Sequence, residues 1–116
     1  MAYRAAFATS DGLTVYKHFG QANEYLVADI LEDHYEIVAR RNVVPPCNAR
    51  GHSEAAFDAV LDALSDCEAI FVGKVGVGAA EYIASRGINV FETPGVIDEI
   101  FLKQKSQAPL DKKRDI

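Results

Sequence analysis

Cys67-Glu-Ala-Ile-Phe-Val-Gly-Lys-Val-Gly-Val-Gly-Ala79 is the stretch whose reading decides the fold. Its first half contains Ala69-Ile-Phe-Val-Gly73, a short continuous apolar run of the kind that forms a strand covered on both faces. Its second half places glycines between that strand and a helical segment from about Ala79 to Ser85, closed by Arg86-Gly87 with Gly87 at the C′ position. A doubly covered strand followed directly by a helix belongs to an α/β sheet with helical crossovers.

Working outward, Ser53 is a good N-cap for the segment Glu54 to Leu64, and Glu54 suits the first turn of a helix dipole. Ala56, Phe57, Val60, Leu61 and Leu64 repeat at helical spacing there, which predicts an amphipathic helix with Asp58 and Asp62 on its wet side. Downstream, Ile88-Asn-Val-Phe91 reads as a strand, Pro94-Gly95 as a turn, and Ile97 to about Lys103 as a last helix. Upstream, Tyr3 to Thr9 is a strand that runs into the turn tripeptide Ser10-Asp11-Gly12. Tyr25 to Leu31 and Tyr35 to Val44 form a β-hairpin through Glu32-Asp33-His34, and Pro45-Pro46 ends the ladder. The element order is βββαβαβα in an α/β mixed five-stranded sheet. With an antiparallel middle strand in the opening meander, all the other strands point one way. The loops Thr9 to Asn23, Pro45 to His52 and Gly73 to Gly78 then share the carboxyl edge of the sheet, where open α/β sheets usually bind ligands.

The 116 residues are the size of one domain, 49% hydrophobic and 25% charged, enough to fold on apolar burial without staples. We read residues 1–104 as that domain and 105–116 as a charged, frayed tail. Twelve basic and 17 acidic residues give a net charge of −5, which repels a phosphate backbone and argues against nucleic-acid binding. No apolar run is long enough to span a bilayer and no signal-like segment opens the chain, so a cytoplasmic protein with no membrane partner is expected. In that compartment a disulfide between Cys47 and Cys67 is not expected, and each thiol is either core filling or chemistry.

Three groups carry chemistry. His18, in Lys17-His18-Phe19-Gly20, is held in place if Phe19 anchors the loop, and a neutral imidazole suits iron, zinc or copper; the alternative is a histidine that hydrogen-bonds its own loop. Cys47 and His52 form C-x4-H in the next loop, too few ligands for a closed zinc site but enough, with His18, for an open or shared one. Otherwise Cys47 packs under the loop and His52 caps the next helix. Gly73-Lys-Val-Gly-Val-Gly78 sits where helix amides can receive an anion, aided by Lys17, Arg50 and Lys74, or it is simply a tight turn. It lacks the order of a P-loop, and it follows the fourth strand, whereas a dinucleotide fingerprint belongs after the first. Cys67 reads as core and His34 as solvated. No G-x-S-x-G elbow is present, and the exit of the Ala69 strand offers no acid to join Asp11 in a metal nuclease.

Ala8-Thr-Ser-Asp-Gly12, His18-Phe-Gly20, Pro45-Pro-Cys47, Gly51-His52, Leu64-Ser-Asp-Cys67 and Val72-Gly-Lys-Val-Gly76 occur in that order. The set resembles the dinitrogenase iron-molybdenum cofactor biosynthesis family, with its NifX-like and NafY-like carriers and the C-terminal domain of NifB, over about residues 3 to 102. The resemblance implies a ribonuclease H-like fold and a nitrogenase accessory role. It implies binding and transfer or storage of an iron-sulfur or iron-molybdenum cluster precursor among metallocluster assembly proteins, without catalysis. On this reading His18 is the principal metal ligand, joined by Cys47 and His52, with Phe19, Lys17, Arg50, Lys74 and Gly76 around the cargo. A monomer or weak homo-oligomer is expected. The other reading is a small-anion or nucleotide-binding regulatory module built on the Gly73 to Gly78 turn.

Overall fold

The computed structural model describes residues 3–45, 47–48, 51–52 and 54–106, with the backbone alone at 47, 48, 51, 52, 54 and 103–106. Five strands build the main sheet: β1 (Tyr3–Ala8), β3 (Glu24–Ile30), β4 (Tyr35–Asn42), β7 (Ala69–Val72) and β8 (Asn89–Glu92). Four two-residue strands lie between or beyond them: β2 (Thr14–Val15), β5 (Cys47–Asn48), β6 (Gly51–His52) and β9 (Gly95–Val96). The helices are α1 (Glu54–Ala63), α2 (Val77–Ser85) and α3 (Ile97–Ser106), and a single 3-10 turn spans Phe19–Gln21.

The main sheet runs β4-β3-β1-β7-β8. β3 is antiparallel to both β1 and β4, while β1, β7 and β8 are mutually parallel in sequence of pairing. The sheet is therefore mixed, and β1, β4, β7 and β8 point the same way. Every side chain of β7 is buried, as its uninterrupted apolar run requires of a strand flanked by β1 and β8 and covered on both faces. On one face Ala6, Ala8, Tyr25, Val27, Ile70 and Val72 pack under α1 and α2, whose inward residues include Phe57, Val60, Leu61 and Ile83, with Leu64 just beyond the end of α1. On the other, Ala5, Phe7, Leu26, Ala69 and Phe71 meet Ile97, Ile100 and Phe101 of α3. There Phe7, Phe71 and Phe91 stack across three neighbouring strands at centroid spacings of 5.0 and 5.2 Å. Offset stacking of this kind adds about 0.5–1.5 kcal/mol per pair to the apolar burial.

Arg86 closes α2, and Gly87 follows at φ +87°, a backbone that a Cβ would strain. The Gly87 amide donates to Ala84 O (3.0 Å) and the Ile88 amide to Ile83 O (3.4 Å), the paired bonds of a Schellman ending with two buried isoleucines beneath it.

Several expectations need adjustment. α2 begins at Val77 rather than Ala79, because Gly76 is already its N-cap and its carbonyl accepts from Ala80 N. α3 continues through Ser106, so Lys105 and Ser106 are helical, and residues 107–116 of the expected tail lie outside the described residues. Asp58 is not simply wet: half-buried, it accepts from the Tyr82 hydroxyl and from Arg86 and so ties α1 to α2. The hairpin of β3 and β4 forms through the expected connection, with Leu31 N donating to His34 O at 2.8 Å, but a bulge opposite Val27 and Ala28 breaks the alternation of β4. The Ser53 cap lies outside the described residues.

Candidate functional site

The carboxyl edge of the sheet is assembled from segments far apart in the chain. After β1, Asp11 folds the loop back on itself: its Oδ1 accepts from Leu13 N (2.8 Å), Thr14 N (3.0 Å) and the Thr9 hydroxyl (2.9 Å). Those backbone donors hold its carboxyl below the usual carboxylate range. Asp11 Oδ1 is thus committed to the loop. β2 then pairs with β9 in an antiparallel ribbon, Thr14 facing Val96, and Ile97 N donates to Leu13 O at 2.8 Å.

The chain next passes the exit of β7. A Cβ on Gly73 would stand 2.6 Å from Tyr16 O, a separation real side chains do not tolerate, so this glycine answers a close backbone approach. Gly73 N donates to Lys17 O (2.8 Å) and Phe19 N donates to Lys74 O (2.9 Å), giving a parallel bridge between His18 and Lys74. Phe19 is 1% exposed and meets the Phe57 ring edge-on at 5.7 Å, which supplies the anchor expected of it. His18 is thus clamped on both sides through the backbone while its side chain is exposed. Among the described residues its imidazole has no hydrogen-bond partner, so nothing there favours the loop-bonding role over a ligand role.

Cys47 and His52 are Cα partners across the β5–β6 hairpin, and β5 lies beside the 3-10 turn that starts directly after His18. The backbone therefore brings the second loop to the His18 turn, while the side chains of Cys47 and His52, and all of Arg50, lie outside what is described. Among the described residues no three histidine, cysteine or carboxylate groups gather to hold a metal ion.

The cations divide into two kinds. Each described arginine is tied to acids: Arg4 to Asp29 and Asp66, Arg40 to Glu24, Arg41 to Asp66, and Arg86 to Asp58 and Asp62. Lys17 and Lys74, on either side of the His18 bridge, have no acidic partner among the described residues. The Lys17 ammonium lies 5.5 Å from the Tyr16 ring, within cation–π range.

The glycines of the strand-to-helix turn differ in role. Gly76 and Gly78 have open space around them and ordinary φ, so no steric demand explains them. A Glu92 carboxylate oxygen already accepts from Val75 N (3.4 Å) in this turn, which works against a second anion there. Cys67 sits at the other end of β7, buried, its thiol pushed up to about 12 chiefly by burial, as a core role requires. His34 is exposed but engaged, 2.6 Å from Asp33 and 3.2 Å from Glu36, contacts that raise its pKa.

Sequence reasoning missed Tyr16, the partner in the Gly73 contact, and the β2–β9 ribbon. The Thr9-x-Asp11-Gly12 pattern did carry the signal for the capped loop, since Asp side chains commonly bond backbone amides two or three residues on.

The clamped, exposed His18 stands at the carboxyl edge of a mixed α/β domain, and solved structures share that fold. The crystal structure of PH0822 superposes with a TM-score of 0.62 over 95% of this chain and 98% of its own, at 23% identity. An NMR structure from Thermotoga gives 0.55 over 90% and 87%, at 19% identity. The sequence then places the domain: it belongs to the dinitrogenase iron-molybdenum cofactor family, whose model matches residues 1–107. Relatives include the FeMo cofactor biosynthesis protein NifB of Chlorobaculum tepidum, 30% identical over 96 residues, and that of Frankia alni, 30% identical over 97. Each match covers 81% of this chain but only 22% and 19% of those proteins, so the chain spans about one fifth of their length. The family is the one that the ordered motifs from Ala8 to Gly76 resemble.

Proposed function

We propose that this domain binds an iron-sulfur or iron-molybdenum cluster precursor at its carboxyl edge and passes it between metallocluster assembly proteins in the cytoplasm, without catalysis of its own. The observation that carries this reading is His18, exposed and unpartnered among the described residues yet clamped by backbone bonds to Gly73 and Lys74. A ligand whose backbone is fixed by the fold has only its side-chain freedom to lose on binding, and a site with few protein ligands can release its cargo. Cys47 and His52, on the hairpin beside the His18 turn, are the further ligands in this reading, and Lys17, Lys74 and Arg50 complement the negative charge of a sulfide-rich cluster. Phe19 holds the loop, and Gly76 leaves the floor of the site open. The strand order with β3 alone reversed supports the ribonuclease H-like grouping that the family resemblance implies. No helix among the described residues is long and apolar enough to cross a membrane.

The test is anaerobic mixing of the full chain with isolated iron-molybdenum cofactor, followed by metal analysis and optical spectra. A coloured, stoichiometric complex that His18→Ala weakens at least tenfold supports the reading. Uptake unaffected by that change removes His18 from the site, and saturable phosphate binding without metal replaces the carrier by an anion-binding module.

A further inference from the structure

In a chain of net charge −5, with every described arginine paired to an acid, Lys17 and Lys74 are the described cations left without a carboxylate. Their placement is not scattered. Lys17 precedes His18 in the chain, and Lys74 is its partner in the parallel bridge, so both ammonium groups are borne by residues directly beside the proposed ligand. Lys74 is exposed and Lys17 half-buried, its ammonium 5.5 Å from the Tyr16 ring.

The reduction potential of an iron-sulfur cluster responds to net charge and hydrogen bonding around its sulfurs. Each added electron makes the cluster more negative. A fixed positive pair beside it therefore stabilises the reduced form more than the oxidised one. We infer that Lys17 and Lys74 make the site bind the reduced state of its cluster cargo more tightly than the oxidised state, so that retention and release follow the electron count of the cargo. This inference rests on the carrier reading above. In the exchange the cluster gains one electron from an external low-potential donor, dithionite in the experiment; both lysines keep their protons and no bond of the protein is made or broken. By linkage, the ratio of the two affinities equals the factor by which binding favours reduction.

The experiment uses the full chain and isolated iron-molybdenum cofactor poised anaerobically in two states one electron apart. Optical titration gives the affinity of each state, and a spectroscopically monitored dithionite titration gives the potential of free and bound cargo. The expected result is about tenfold tighter binding of the reduced state, equivalent to a positive shift of about 59 mV for one electron. Raising salt to molar concentration shrinks the shift, because exposed charges are screened. The double variant Lys17→Gln/Lys74→Gln loses it, and Lys17→Arg/Lys74→Arg keeps it. Equal affinity for both states, or a shift that survives in the glutamine variant, overturns the inference and leaves the carrier reading standing. Failure of the chain to take up either state overturns both.

Discussion

Gly73 and Tyr16 touch through their backbones so closely that a methyl group on Gly73 would lie 2.6 Å from Tyr16 O. This contact sets how near the His18 loop runs to the exit of β7, and with it the bonds Gly73 N to Lys17 O and Phe19 N to Lys74 O. Gly73→Ala must push the two segments apart. The expected cost is about 1–3 kcal/mol of stability, the range for overpacking a tight site. A denaturant midpoint measures that cost. On the proposed carrier reading, cargo affinity should fall further than it does in Gly76→Ala, where the new methyl meets open space.

The described pKa shifts point to acid lability centred on Asp66. Its carboxylate accepts two bonds from Arg41 (2.6 and 2.8 Å) and one from Arg4 (2.9 Å), and the Arg41 bonds hold it well below the usual range. A depressed carboxyl contributes stability that is full above its unfolded value, near about 3.9, and is lost as pH falls toward its folded value. Stability should therefore fall below about pH 4, modestly because solvent screens this exposed pair. Asp66→Asn should flatten that drop while lowering stability at neutral pH. Urea midpoints collected from pH 7 down to pH 2 check both signs.

Cys67 should resist thiol reagents. It is 3% exposed and its thiol is pushed up to about 12, so the nucleophilic thiolate is scarce at pH 8. Alkylation followed by peptide mass spectrometry should leave Cys67 unmodified in the folded protein and label it in denaturant. Rapid labelling under native conditions would mean that the α1–β7 corner opens far more readily than its packing suggests.

The Tyr25 hydroxyl is buried without a hydrogen-bond partner among the described residues, and burial raises its pKa. A buried polar group left unpaired costs about 1–3 kcal/mol. Tyr25→Phe should then be neutral or stabilising by up to about that amount, read as a rise in thermal or urea midpoint. A clear loss of stability would show that the hydroxyl does have a partner in solution.

Regular patterns were legible in the sequence, and irregular contacts were not. The apolar run of β7 and the helical spacing from Phe57 to Leu64 each bury a face, and burial leaves a periodic trace in composition. Asp11 and Phe19 were legible in part, since a turn signature and a lone aromatic beside a glycine are local signals. β2 and β9 have two residues each and pair across most of the chain, so neither shows a period and neither points to the other. The β5–β6 hairpin lay hidden in what reads as a proline-led loop. The demand on Gly73 comes from Tyr16, distant in sequence, and a glycine among three glycines gives no hint which of them is indispensable. The lysines were visible as charges. Their lack of acidic partners became visible only once the arginines had been matched to theirs.

The β2–β9 ribbon also orders events at the ribosome. Leu13 and Thr14 emerge long before their partners Ile97 and Val96, and the exit of β7 that clamps His18 arrives between them. Contacts of such long sequence separation form late, because the intervening chain must first be gathered in. A nascent chain therefore exposes His18 before its backbone is clamped, and the carboxyl edge of the sheet matures only once β9 has been made.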